Sequence, residues 1–175
     1  MAYVKPYYGF NSANSVKLCL STVPRIPDAS VNQHWKNWAW QDFTQSQWQA
    51  YDRGYDSAVL LDSRGYVTEG PGFNVVIVSN HTLHMPRHNV LGGITVQLIQ
   101  QLCDAHNIGY KYCDIDKNML ATAADMFVAS TSGDITPVIQ FESQQFSISV
   151  QQYTLKKLIQ QAWTLDGYST LLRTL

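Results

Sequence analysis

Four short stretches of the chain hold residue types that could do chemistry. The first is Lys36, in Val31-Asn32-Gln33-His34-Trp35-Lys36-Asn37-Trp38. A lysine amine becomes a useful nucleophile when its pKa falls, and an apolar, aromatic flank would supply that desolvation. The second is Thr68-Glu69-Gly70-Pro71-Gly72-Phe73-Asn74, which puts a carboxylate at a strand end beside glycines that let a ligand approach closely. The third is Leu91-Gly92-Gly93-Ile94-Thr95, running into a helix whose free N–H groups and dipole favour an anion such as phosphate. The fourth is Ser130-Thr131-Ser132-Gly133-Asp134, whose hydroxyls and N–H groups also suit phosphate. Taken singly, each also fits a plainer role: a solvated lysine, a tight turn, a glycine-rich helix start, a polar connection. Neither a Walker loop nor a dinucleotide fingerprint is present.

The remaining candidates are weaker. His81, His84 and His88 form a loose cluster, but Pro86 prevents the helix that would align them, so they are expected in a solvated loop. The nucleophile elbow of α/β-hydrolases is absent. Trp35, Trp38, Trp40 and Trp48 are expected in the core or at an interface rather than as a base-stacking platform.

These residues need elements to position them. The chain has 175 residues, enough for one domain with a substantial core. Apolar residues make up 45%, which argues against disorder. Lys+Arg number 12 and Asp+Glu 13, so the total charge gives no hint of a nucleic-acid-binding face. No apolar run reaches membrane-span length, and the first residues lack a signal-peptide core. Cys19, Cys103 and Cys113 have no metal spacing and fit reduced thiols, so a cytoplasmic protein is expected. Alternation and breakers predict strands at 15–22, 58–61, 66–68, 74–78, 82–85, 110–115, 126–130 and 135–140. Helices are predicted over 38–53, over 94–108 with Gly109 closing it, over 117–123 and over 151–165. Strands and helices interleave, with hairpins in the first half. The fold class is therefore α/β (α+β), on a mixed and curled sheet.

In chain order, the motifs resemble the class IV, D-amino-acid-aminotransferase-like group of pyridoxal-phosphate (PLP) enzymes. That group includes branched-chain aminotransferases, (R)-selective amine transaminases and aminodeoxychorismate lyases. The resemblance is carried by Arg25-Ile26-Pro27, Lys36-Asn37, Trp40-Gln41-Asp42 and Ala50-Tyr51-Asp52-Arg53-Gly54. It continues through Leu60-Leu61-Asp62, Val67-Thr68-Glu69-Gly70, Gly72-Phe73-Asn74-Val75 and Leu91-Gly92-Gly93-Ile94-Thr95. Asp125-Met126-Phe127, Ser130-Thr131-Ser132 and Ile135-Thr136-Pro137-Val138 close the set. Around Lys36 and Phe73 the wording is most similar to the (R)-selective amine transaminases.

The resemblance implies the large domain of that fold, a barrel-like sheet with outer helices. It spans residues 1–175 as one unit, with 1–24 a linker and first strand and 25–175 the family-like core. It implies Lys36 as the catalytic lysine that holds PLP and shuttles a proton. Glu69 would pair with the pyridine nitrogen. Ile94, Thr95 and Thr131 would bind the phosphate, with Ser132 beside them. The implied reaction moves an amino group from an amino acid or amine to a keto acid, in a homodimer with no nucleic-acid or membrane partner. A lyase reaction and a catalytically degenerate binding module are the alternatives.

Several departures bear on these expectations. The family's smaller N-terminal domain, which supplies an arginine to the phosphate, is expected to be missing. Val96 stands where the family has an arginine, Met126 where it has an acidic residue, Gly92-Gly93 where one glycine is usual, and Ala39 where many members have a polar residue. The resemblance therefore implies weakened or lost PLP binding. Apolar surface left by the missing domain is expected to be covered by a second chain or by Tyr3–Phe10.

Overall fold

β-Branched residues dominate the centre of the chain, and they build strands that are buried on both faces. In the computed structural model, which describes residues 15–162, β4 (Phe73–Ser79) sends Val75 and Ile77 to one side and Val76 and Val78 to the other. β7 (Asp125–Ser130) does the same with Met126 and Val128 against Phe127 and Ala129. A strand covered on both faces reads as a continuous apolar run rather than an alternation.

The other strands are β1 (Val16–Leu20), β2 (Ser57–Val59), β3 (Glu69–Gly70), β5 (Thr82–Pro86), β6 (Tyr110–Cys113), β8 (Asp134–Phe141) and β9 (Gln144–Gln145). Among the described residues four helices accompany them: α1 (Gln41–Asp52), α2 (Ile94–His106), α3 (Lys117–Thr122) and α4 (Val150–Ala162). The sheet runs in the order β2-β1-β8-β7-β4-β5-β6, with β3 on β4 and β9 on β8. β1 is parallel to both β2 and β8, β5 is parallel to β6, and the remaining neighbours are antiparallel.

The sheet curls back on itself. Just past β2, the Leu60 N–H donates to the Glu69 carbonyl and the Thr68 N–H to the Leu60 carbonyl, both at 3.0 Å. This seam joins the β2 end of the sheet to the β3–β4 hairpin. Gly70 lies at the seam, where a Cβ would collide with the Phe73 ring and the Ala58 carbonyl, so only glycine fits there. One core fills the curl, from Leu18, Ile77, Ile115 and Met126. A second lies between the sheet and α2 and α4, from Ile99, Phe127, Leu155 and Ile159.

The expected fold class holds, with local corrections. α1 starts at Gln41 rather than Trp38. Asn37 Oδ1 accepts the Ala39 N–H at 2.9 Å, and the Trp40 N–H turns back to the Trp38 carbonyl, so a side chain competes with the helix for these backbone groups. α2 ends at His106, where Asn107 rather than Gly109 takes the left-handed cap (φ 54°). β9 lies outside the predicted strands, and α4 begins at Val150. His84 is buried on β5 beside Cys113 (Nδ1···Sγ 3.6 Å) rather than in a solvated loop. The four tryptophans are not in the core: Trp35, Trp38, Trp40 and Trp48 are all exposed. Met126 is fully buried in the inner core. The segment Tyr3–Phe10, and the predicted helix beyond Ala162, lie outside the described residues. No helix among the described residues is long and apolar enough to cross a membrane.

Phe127 is a fully buried aromatic side chain on a central strand. Phe127→Ala is expected to cost about 3–5 kcal/mol through lost burial and a residual cavity. Urea unfolding followed by circular dichroism checks this, and a loss below about 1 kcal/mol would contradict the packing described.

Candidate active site

A buried arginine organises one end of the curled sheet. Arg25 follows β1, is 4% exposed, and spends its donors on three segments. Nη1 donates to Asp42 Oδ2 at 2.6 Å, at the start of α1. Nε and Nη2 donate to Glu69 Oε1 at 3.2 and 3.1 Å, on β3. Nη2 also donates to Gln33 Oε1, in the loop before α1. The guanidinium lies 4.0 Å from the centre of the Phe43 ring. A charge removed from water needs this many partners.

Gln33 passes the restraint onward. Its amide donates to the Ile26 and Val31 carbonyls at 3.1 and 2.9 Å. Asp42 Oδ2 also accepts the Ile26 N–H at 2.9 Å. The loop from Ile26 to Trp40 is thereby tied down at both ends, and it carries Lys36.

Lys36 lines a cleft of about 300 Å³. Trp35, Trp40, Phe43, Glu69, Gly93, Ile94, Thr95, Ser130 and Thr131 line it too. Such a volume lies at the lower end for small-molecule sites, roughly 300–1,000 Å³. Lys36 itself is exposed, and Trp35 and Trp38 are 72% and 101% exposed, so the expected aromatic desolvation of the amine is not present.

Glu69 is buried, and each oxygen has a donor. Oε1 takes Arg25, and Oε2 accepts the Leu91 N–H at 3.1 Å. Burial pushes its carboxyl above the ordinary value of 4.5, against the Leu91 N–H and Arg25, which pull it down. Oε1 already accepts two N–H groups from Arg25, and Oε2 can accept a further bond.

The opposite end of the cleft is the N-terminus of α2. Gly93 is its N-cap, with extended backbone (φ −62°, ψ 142°) and no side-chain cap. The Ile94, Thr95 and Val96 N–H groups have no intrahelical acceptor, and the first turn holds no acidic residue to offset the dipole. Thr95 is 2% exposed, and its hydroxyl has no hydrogen-bond partner. A buried, unsatisfied hydroxyl costs about 1–3 kcal/mol unless a ligand meets it. Ile94 is exposed at the cleft wall.

The β7–β8 turn closes this end. Thr131 is exposed on the cleft. Ser132 sits one step back, its hydroxyl 3.2 Å from that of Ser130, which lines the cleft. Lys36, Glu69, Ile94, Thr95 and Thr131, which lie far apart in the chain, thus meet in one cavity. Val96 is buried against the outer core and offers no charge to an anion. Sequence reading had not singled out Arg25, Gln33, Asp42 or Asn74 as site residues.

The model of the family described as Amino-transferase class IV matches residues 3–141. The chain belongs to the class IV aminotransferase family. A protein of Aquifex aeolicus named "Probable branched-chain-amino-acid aminotransferase" is 29% identical over 139 residues, covering 77% of this chain and 45% of that protein. The chain spans about half the length of this relative and of a similar one from Methanocaldococcus jannaschii. The crystal structure of a branched-chain aminotransferase from Thermoproteus uzoniensis with norvaline superposes with a TM-score of 0.81 at 22% identity, over 89% of this chain and 55% of that one. The branched-chain aminotransferase of Thermobaculum terrenum in its PLP form gives 0.83 at 21%, over 90% and 54%. These likenesses establish that the chain shares its fold with about half of each of those structures.

In this class IV domain Glu69 has a folded-state pKa above its ordinary value. Its contribution to stability is therefore largest below pH 4.5 and falls as pH rises through the raised value. The stability of the ligand-free chain minus that of Glu69→Gln is expected to shrink over this interval in urea melts. A difference that grows with pH would mean that Arg25 outweighs burial.

Proposed function

We propose that the cleft holds pyridoxal 5'-phosphate and that the chain takes part in moving an amino group from an amino acid or amine to a keto acid. The observation that carries this reading is the Thr95 hydroxyl, buried without a partner at the uncapped start of α2, in the same cleft as Lys36 and Glu69. A phosphate oxygen would satisfy it, and the first-turn N–H groups would hold the remaining charge.

The donor set fits the group along its length. The N–H groups of Ile94 and Thr95 and the hydroxyls of Thr95 and Thr131 would bind the phosphate. Glu69 would hold a proton on the pyridine nitrogen between that nitrogen and its own carboxylate. Arg25 supports this by keeping negative charge favourable at Glu69. Lys36 would attach the cofactor through Nζ and, once released, carry a proton to and from the substrate carbon on Nζ. Trp35, Trp40 and Phe43 would form one wall. When bound, the cofactor supplies an electron-poor ring that accepts the electrons left as the substrate carbon loses its proton.

The phosphate end offers no cation from the first turn of α2, whose residues Ile94, Thr95, Val96 and Gln97 are all uncharged. Affinity rests there on dipole and hydroxyl contacts, which supports the expectation of weak binding. A homodimer is part of the same proposal, supported by the exposed aromatic residues Trp38, Trp48 and Tyr51. A cytoplasmic location is also part of it, supported by the three unpaired cysteines.

The test is a PLP titration followed by visible absorbance, with borohydride trapping and peptide mapping. A saturable band with covalent label on Lys36 is expected, and Lys36→Ala should lose the label and any transamination. Label elsewhere, or no band at millimolar cofactor, would overturn the reading.

A further inference from the structure

Glu69 and Asn74 face each other in the β3–β4 hairpin, and both reach the same residue on another loop. Glu69 Oε2 accepts the Leu91 N–H at 3.1 Å. Asn74 Nδ2 donates to the Leu91 carbonyl at 2.8 Å. The hairpin therefore grips Leu91 by both of its backbone polar groups, with two side chains doing what a neighbouring strand does in a ladder.

Leu91 lies three residues before Ile94. Its carbonyl also accepts the Gly93 N–H at 2.8 Å, a tight turn that aims the chain into α2. Gln97 fastens the turn from the helix side, with Nε2 donating to the Gly92 carbonyl at 2.9 Å and its N–H to the Gly93 carbonyl at 3.1 Å. Asn74 shapes the turn a second time. A Cβ on Gly93 would collide with Asn74 Oδ1, so the side chain that holds Leu91 also keeps position 93 bare. Asn74 makes both contacts from a central strand with neighbours on each side, which makes it a rigid anchor.

We propose that Asn74 is a positioning residue: through Leu91 and Gly93 it sets the N-terminus of α2 at a fixed distance from Glu69, so that one ligand can span both. This rests on the PLP reading of the cleft. The two grips on Leu91 separate its two ends. Removing the Asn74 amide leaves the Glu69–Leu91 bond in place but frees the carbonyl side, where Ile94 and Thr95 follow. The phosphate end loosens while the ring end stays.

The test compares PLP with pyridoxal, which lacks the phosphate, on the full chain. Affinities are read by absorbance and borohydride labelling of Lys36. Asn74→Ala is expected to lower PLP affinity about ten- to a hundredfold, one lost restraint's worth, and to leave pyridoxal within about twofold. Gly93→Ala, which displaces the Asn74 amide from the other side, should shift the PLP-to-pyridoxal ratio the same way. A third arm titrates inorganic phosphate and follows the Ile94 and Thr95 amide resonances, where Asn74→Ala should weaken binding at least about tenfold. Equal losses for PLP and pyridoxal would show general loosening and overturn the proposal, as would an unchanged ratio in both variants. If the wild-type chain labels with neither aldehyde, the PLP reading fails and the phosphate arm decides alone. Weakened phosphate binding in Asn74→Ala then supports the positioning role, and unchanged or absent wild-type binding overturns it.

Discussion

The Arg25 guanidinium is the interaction on which this end of the molecule depends. A lone buried cation would cost far more than a domain of this size can spare, so it must meet acceptors on several sides. Its acceptors come from three separate segments: the loop before α1, the first turn of α1, and β3. Satisfying one side chain therefore brings together the segment bearing Lys36 and the strand bearing Glu69. The Phe43 ring against the guanidinium face completes the enclosure without adding a competing donor.

Glu69 sits where the sheet closes, and its backbone and side chain do different work. Its carbonyl takes the Leu60 N–H across the seam, while its carboxylate ties Arg25 to Leu91. Closure of the curl and assembly of the cleft are thus one event. A change that opened the seam would move the carboxylate as well. This coupling also explains why a buried acid is tolerated here, since its charge is compensated and its position is fixed by strand geometry.

Much of this was legible in the sequence, for physical reasons. β4 and β7 were readable because apolar strands flanked by turn residues have few competing conformations. α2 was readable from its amphipathic period, and the cleft residues from their order along the chain. Arg25 was not legible as a site residue, because a buried arginine and a surface arginine look alike until the fold supplies acceptors. The start of α1 was misplaced because an Asx turn at Asn37 competes with helix for the same backbone groups. The end of α2 was misplaced because asparagine can stand in for glycine in the left-handed cap. The core half of the core-or-interface expectation for the tryptophans fails because size and apolarity predict burial without saying against what, and in the single chain these residues rim the cleft or face solvent.

The position of β1 gives the fold a time order. It is the first strand among the described residues, yet it is wedged between β2 and β8, with parallel partners on both sides. The Leu20 N–H reaches Glu142 Oε1 at 2.7 Å across 122 residues of chain. On a ribosome, β1 emerges early and stays unpaired on one edge until β8 follows it out. Such long-range parallel pairing is slow, and it leaves an apolar edge waiting meanwhile. The cleft residues, from Arg25 to Thr131, all precede β8 in the chain, so the site is translated before the sheet that carries it is complete.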